Sequence, residues 1–204
     1  MLEFRLLYQG SLLAASRETH PENKHALRRE FHKQLKMLWS SKSPLKERLK
    51  QPIVKDFAKE PYFTDRRSVL AEKFSYHGYS FVPIVTGDLF LTCSLDILFL
   101  RPEEPSLLLR GGDIDNRIKT VFDALRIPTV EEAAGLKEKY PPIDDEKPMY
   151  CLMQDDKLVS EVKVVADYLL LLPNSFELKK NDVFLVVHVR VKPIKLVAGN
   201  IDFA

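Results

Sequence analysis

One segment of the chain combines acidic and basic residues at a spacing that suits metal-assisted chemistry. Residues 111–125 read G-G-D-I-D-N-R-I-K-T-V-F-D-A-L, with apolar residues at helical spacing. Asp113 falls at the predicted helix start, Asp115 two residues later, and Lys119 one turn beyond that. Two carboxylates near a helix start can converge on one hard divalent cation, which takes oxygen ligands. The spacing is equally compatible with a capping Asp113 and a surface pair of Asp115 with Lys119.

A third acid is expected for a magnesium site, because two carboxylates rarely suffice. The chain offers two acidic pairs, Asp144–Asp145 and Asp155–Asp156. The second pair immediately precedes the alternating segment K-L-V-S-E-V-K-V-V, which predicts a strand. We favour this pair, since a strand would hold it on a rigid scaffold.

The segment D-I-D-N-R-I-K-T-V-F-D-A-L, with Q-D-D-K-L-V-S-E-V-K-V downstream, resembles the RusA-type Holliday junction resolvases over about residues 95–192. That family carries D-x-D-N-x-x-K-x-x-x-D-A-L and then an Asp-Asp pair that opens a strand. The resemblance implies a Mg²⁺-dependent endonuclease, with Mn²⁺ as a substitute metal. Its metal ligands would be Asp113, Asp115 and Asp156, and its catalytic lysine Lys119. It also implies an intertwined homodimer that nicks four-way or other branched DNA symmetrically.

An alternative from a different class is a module that keeps the fold and binds DNA or a protein without cleaving it. Residues 10–16 read G-S-L-L-A-A-S, without the Pro-rich loop that family members carry after their first strand. A long segment rich in acids also separates Leu125 from the Asp-Asp pair. Both features favour the alternative, whereas the complete set of three Asp and one Lys favours the nuclease.

A row of cations predicts a phosphate-binding face on an earlier helix. Over about residues 21–39, apolar side chains recur at spacings of four and three and predict a helix with one buried stripe, formed by Leu27, Phe31, Leu35 and Leu38. Basic residues lie on its other sides and could follow DNA phosphates, although a solvated helix face would look the same: Lys24, Arg28, Arg29, Lys33 and Lys36. A further DNA contact is predicted at Arg66 and Arg67, beside two aromatic residues.

The charge distribution agrees with a polyanion-binding surface joined to an acidic site. The 204 residues carry 31 Lys and Arg against 29 Asp and Glu, a net charge of +2. Residues 1–80 hold 16 basic and 9 acidic side chains, whereas residues 81–204 hold 15 and 20. Ordinary variation among solvated charges would give a similar asymmetry.

Hydrophobic patterning predicts a single α/β (α+β) domain over residues 1–204, with a small mixed sheet flanked by helices. Strands are expected at 2–8, 158–170 and 183–191, and a β-hairpin at 81–100 around Gly87-Asp88. The second helix is expected at 113–126. Residues 40–80 are expected to form an irregular insertion with a short helix at 44–50, and residues 128–149 a loop.

Several classes of protein are excluded by the sequence. The longest apolar stretch, 89–100, has 12 residues and contains Asp96, so a membrane span is not expected. Two cysteines 58 residues apart and no signal-peptide pattern predict a reduced, cytoplasmic protein. No glycine-rich phosphate loop is present, so no nucleotide cofactor is expected.

Overall fold

Four helices and nine strands form the part of the chain that the computed structural model describes, which is residues 1–13, 21–47, 50–53, 62–102, 113–170 and 181–204. The strands are β1 Leu2–Ser11, β2 Lys50–Ile53, β3 Tyr62–Asp65, β4 Ser75–Tyr76, β5 Tyr79–Val85, β6 Leu91–Arg101, β7 Met149–Met153, β8 Val159–Tyr168 and β9 Asp182–Pro193. The helices are α1 Pro21–Ser41, α2 Arg66–Lys73, α3 Asp113–Leu125 and α4 Val130–Lys139. The predicted mixed α+β class is confirmed.

The larger sheet has the strand order β1-β9-β6-β8. β9 pairs antiparallel with both β1 and β6, whereas β8 runs parallel to β6. Alternate residues of β9 are buried from Val183 to Val191, and β6 alternates in the same way from Leu95 onward, after a start in which Leu91–Leu95 are all buried. This period of two places one apolar face of the sheet toward the core, as the sequence predicts.

The apolar faces of α1 and α3 share the main core with that sheet. Leu27, Phe31 and Leu35 of α1 are at most 1% exposed, so the predicted stripe is confirmed. Val121 and Leu125 of α3 are fully buried in the same cluster. α1 and α3 therefore pack against the sheet and against each other. This packing fixes the position of the D-x-D-N-x-x-K segment, which lies on α3.

The predicted hairpin at 81–100 is wrong. β5 pairs antiparallel with β4 and parallel with β7 in a separate three-stranded sheet, while β6 belongs to the larger sheet. Six of the seven residues of β5 are buried, a pattern typical of a strand covered on both faces rather than of a hairpin arm. The Gly87-Asp88 segment forms a turn of 3-10 helix over Gly87–Leu89, not a two-residue hairpin turn.

Two regions predicted to be irregular contain regular structure. Within residues 40–80, β2 and β3 pair antiparallel, and α2 follows β3 directly. No residue of α2 is fully buried, and Leu70 and Ala71 pack only partly against the core, so a regular apolar stripe does not mark this helix in the sequence. The short helix predicted at 44–50 is not found in the described residues of that range, where residues 44–46 form turns and Lys50 begins β2, while residues 48–49 lie outside the described part of the chain.

The loop predicted at 128–149 contains α4. Thr129 accepts a hydrogen bond from the main-chain nitrogen of Glu132 (3.2 Å), and the Glu132 carboxylate accepts one from the main-chain nitrogen of Thr129 (2.9 Å). This reciprocal capping box starts the helix, and its T-x-x-E signature is visible in the sequence. β7 follows immediately and is buried at all five residues, so it lacks the alternation that marks a half-exposed strand.

The crossover from β6 to β8 determines the direction of α3. β6 and β8 are parallel, and α3 lies between them in the chain. The first half of α3 lies beside Leu12 and Asn181, at the end of β1 and the start of β9. Its far end lies beside Met153, because the main-chain nitrogen of Ile127 donates to the Met153 oxygen (3.0 Å). α3 therefore runs back along the sheet toward the end of the strands at which β8 begins.

Among the described helices, none is both long and apolar enough to cross a membrane.

Candidate functional site

The D-x-D-N-x-x-K segment divides α3 into a free face and a structural face. Asp115 and Lys119 are exposed, and no described residue forms a hydrogen bond or ion pair with either side chain. Arg117 and Thr120 are buried and donate to the main-chain oxygens of residues 12 and 13, at 2.6 and 3.3 Å. The side chain of Asp113 lies outside the described part of the chain. The free face therefore presents one carboxylate and one ammonium group a turn apart.

The last acid of the segment, Asp123, is a structural residue. Its carboxylate is buried and accepts hydrogen bonds from Lys24 Nζ (2.6 Å) and Arg126 Nη2 (2.8 Å). Its main-chain oxygen accepts a hydrogen bond from Arg28 Nη2 (2.6 Å). Burial acts to raise the pKa of Asp123, but the hydrogen bond and charge of Lys24, with Arg126, outweigh it and lower the pKa. Asp123 thus joins α1 to α3 as a charged group.

The same cluster extends to α4 through Arg126. Its guanidinium binds both carboxylate oxygens of Glu132, at 2.9 and 3.0 Å, in addition to Asp123. Sequence reasoning missed these partners, although Arg126 follows Asp123 by three residues and Glu132 belongs to the T-x-x-E capping signature.

The Asp155–Asp156 pair lies in a tight turn before β8. Asp155 caps a turn of 3-10 helix over Asp156–Leu158 by accepting a hydrogen bond from the main-chain nitrogen of Lys157 (2.9 Å). That hydrogen bond is the main reason why the pKa of Asp155 is lowered. Asp156 itself is exposed. The pair opens onto a groove of about 560 Å³ that Arg126 and Glu131 also line.

Asp115 and Asp156 lie at opposite ends of α3. The helix has 13 residues, which makes it about 20 Å long at its usual rise per residue. Asp115 is near its start, whereas Arg126, which follows its end, lines the groove that holds Asp156. A magnesium ion binds carboxylates at about 2.1 Å, so these two acids of one chain do not fit a common ion. Within the described residues, no three His, Cys, Asp or Glu side chains are grouped to hold a metal.

Most cations of the predicted phosphate-binding row on α1 contact the protein itself. Lys24 is paired with Asp123, and Arg29 binds both carboxylate oxygens of Glu146. Arg28 is 2% exposed. The prediction of one solvent-facing line is therefore wrong: α1 is covered on this side by the segment that leads into β7, and the opposite charges of the two halves of the chain meet there.

The remaining predicted DNA contacts are exposed on α1 and half-buried on α2. Lys33 and Lys36 are exposed, and their surface partners are Glu30 and Asp145. Arg66 and Arg67 begin α2, where Arg67 donates to both carboxylate oxygens of Asp65. The hydrogen bond from Arg67 lowers the pKa of Asp65. These four basic residues remain predictions for DNA contact.

Two buried histidines on α1 contribute to the packing of that helix. His32 accepts a hydrogen bond at Nδ1 from the main-chain nitrogen of Tyr150 (2.9 Å), so its Nε2 carries the proton and donates to the Asp145 main-chain oxygen (3.0 Å). His25 is 1% exposed and lies between the rings of Tyr79 and Tyr140. Burial, with the charges of Arg28 and Arg29, lowers the pKa of His25 to about 3.

Comparison of the chain with protein-family models, with curated proteins and with solved structures finds no match. Similarity therefore assigns no family.

The Asp123→Asn variant is expected to lose about 3 kcal/mol of unfolding free energy, because it leaves the buried charges of Lys24 and Arg126 without their shared carboxylate. Asp144→Asn serves as the control, since Asp144 is fully exposed and its loss should change stability by less than about 1 kcal/mol. Urea denaturation of both variants measures the difference. Equal stabilities would contradict a structural role for Asp123.

The lowered pKa of His25 predicts a pH dependence of stability. Because the folded protein resists protonation of His25 between pH 6.5 and about 3, the unfolding free energy should fall by up to about 1.4 kcal/mol per pH unit as pH decreases through this window. His25→Phe keeps an aromatic ring and should remove this contribution to the slope. Urea denaturation from pH 6.5 to 4.5 measures it, with His77→Asn as a control for loss of an exposed histidine. An unchanged slope in His25→Phe would refute the assignment.

Proposed function

We propose that the protein is a Mg²⁺-dependent endonuclease that cuts branched DNA, such as Holliday junctions, as a homodimer. The observation that carries the proposal is the division of α3 into two faces. The acid and the lysine that the RusA resemblance assigns to catalysis, Asp115 and Lys119, are exposed and have no partner among the described residues. Arg117 and Asp123 of the same helix instead form hydrogen bonds within the fold. A cytoplasmic location belongs to the same proposal.

The separation of Asp115 and Asp156 supports a role for the dimer. Since one chain does not bring these acids to a common ion, a complete set of ligands requires two chains. In the proposed dimer, Asp113 and Asp115 of one protomer face Asp156 of its partner, and the twofold axis creates two such sites. Bound magnesium supplies charge neutralisation and water activation to phosphodiester hydrolysis. Lys119, one turn from Asp115, would contact the phosphate.

The surface cations that are not buried in the fold would guide the DNA. Lys33 and Lys36 lie on one exposed part of α1, and Arg66 and Arg67 begin α2. Contacts of this kind to the phosphate backbone weaken as salt concentration rises. Removing them should reduce DNA affinity without changing the metal dependence of cleavage.

Cleavage of a labelled synthetic four-way junction tests the proposal. The native protein should nick opposite strands symmetrically only when Mg²⁺ or Mn²⁺ is present. Asp115→Asn and Asp156→Asn should each lower the rate by about a hundredfold or more while DNA binding persists, because each removes a metal ligand. Asp144→Asn, in the other acidic pair, should cut normally. Wild-type cleavage by either of the first two variants would refute the site assignment.

A mixing experiment tests whether the site is shared between protomers. Co-expressed Asp115→Asn and Asp156→Asn chains, which are inactive alone, should form mixed dimers with one intact site each. Random pairing makes half the dimers mixed, so about a quarter of native activity should return. If each site lay within one chain, every site in the mixture would lack an acid and no activity would return.

The alternative of a binding module is favoured by the lack of a three-acid group within the described part of a single chain. The junction assay separates the two functions. A stable complex without nicks, with or without metal, would support the binding module. Cleavage of flaps or forks in preference to four-way junctions would retain the nuclease and change its substrate.

A further inference from the structure

A cavity of about 310 Å³ lies between the start of α1 and α4. Lys24 and Arg28 line it from α1, and Glu132, Gly135 and Leu136 line it from α4. A Cβ atom added at Gly135 would meet no atom within 4 Å, so the helix leaves open space there. Its volume is at the lower end of the range for small-molecule sites.

The charges of the buried cluster beside this cavity do not balance. The cluster around Asp123 contains three cations, Lys24, Arg28 and Arg126, but only two carboxylates, those of Asp123 and Glu132. Lys24, Arg126 and Asp123 have side chains that are at most 18% exposed. The cluster therefore carries a net charge of +1 in a position that is largely removed from water, where an uncompensated charge is costly.

Arg28 is the cation that lacks a carboxylate. It is 2% exposed, its only hydrogen bond among the described residues goes to a main-chain oxygen, and its Nε has no partner there. Cys151 does not neutralise it, because burial raises the pKa of that thiol to about 12. The other charged residues that line the cavity are exposed and screened by solvent: Glu131, Glu138 and Lys139.

We infer that this cavity binds a small organic molecule through a single oxyanion, a carboxylate or a phosphate, held by Arg28 and Lys24. The negative charge of the oxyanion would offset the excess positive charge of the cluster, and a guanidinium offers donors in the geometry that oxyanions accept. Leu136 is buried at the wall and provides an apolar contact for a compact organic group. The cavity lies at the end of α3 that is remote from Asp115, so the inference is independent of the proposed nuclease.

Calorimetric titration of the full chain at constant ionic strength tests the inference, with benzoate, phenyl phosphate and the neutral analogue benzamide as probes. At least one of the two anions should bind saturably with one site per chain. Benzamide should bind more weakly by a factor of about ten or more, because it cannot form the charged hydrogen bonds. Binding of benzoate alone identifies a carboxylate site, and binding of phenyl phosphate alone a phosphate site. Saturable binding of neither anion, or equal binding of benzamide, would overturn the inference.

Two variants of Gly135 locate the site without removing any charge. Gly135→Leu should fill the cavity and weaken anion binding about tenfold or more, whereas Gly135→Ala adds one methyl group and should retain binding. Arg28→Gln should abolish it. If Arg28→Gln does not fold, the Gly135 pair still decides, since anion binding that Gly135→Leu leaves unchanged would place the ligand elsewhere and overturn the inference.

Discussion

A buried carboxylate, that of Asp123, determines how the helices of this protein meet. It accepts hydrogen bonds from Lys24 on α1 and from Arg126 after α3, while Arg126 also binds Glu132 on α4. Three helices are thereby joined at one point where charge has been removed from water. A buried pair of this kind stabilises little relative to apolar packing, but the loss of one partner is severe. The position of α3, and with it that of Asp115 and Lys119, therefore depends on a residue that takes no part in the proposed chemistry.

Elements with a long, regular apolar face could be predicted from the sequence, whereas the strands buried on both faces and the two short helices α2 and α4 could not. The periods of β9 and α1 are visible because polar residues occupy their outer sides. β5 and β7 are covered on both sides, so their apolar runs carry no alternation. α2 has no fully buried residue, so its sequence shows no regular apolar stripe. The hairpin prediction was wrong for the same reason. β5 is buried along almost its whole length, and such burial is typical of a strand with a parallel partner.

The candidate site could be predicted only as far as local spacing determines it. The helix from Asp113 and its exposed positions at Asp115 and Lys119 follow from the sequence. The relation of Asp115 to Asp156 does not, because it depends on the parallel pairing of β6 with β8. The chain between these two parallel strands contains α3, α4 and β7, and α3 runs back along the sheet, so its start and the residues that open β8 lie near opposite ends of the strands. The prediction for the basic row on α1 was wrong for a different reason. The spacing placed these residues correctly on one side of the helix, but spacing could not show that α3 and the segment before β7 cover that side.

The strand order β1-β9-β6-β8 has a consequence for the order in which the protein is assembled. β9 lies between β1 and β6 and supplies all the pairing of β1 within this sheet, yet it follows β1 by about 170 residues in the chain. During synthesis, β1 leaves the ribosome well before β9, which is its only neighbour in this sheet among the described strands. Contacts between such distant segments form slowly, because a long loop must close before they contribute. β1 must therefore lack this strand partner until β9 has been synthesised. Until then α1, the next described element in the chain, is the earliest available to cover the apolar face of β1.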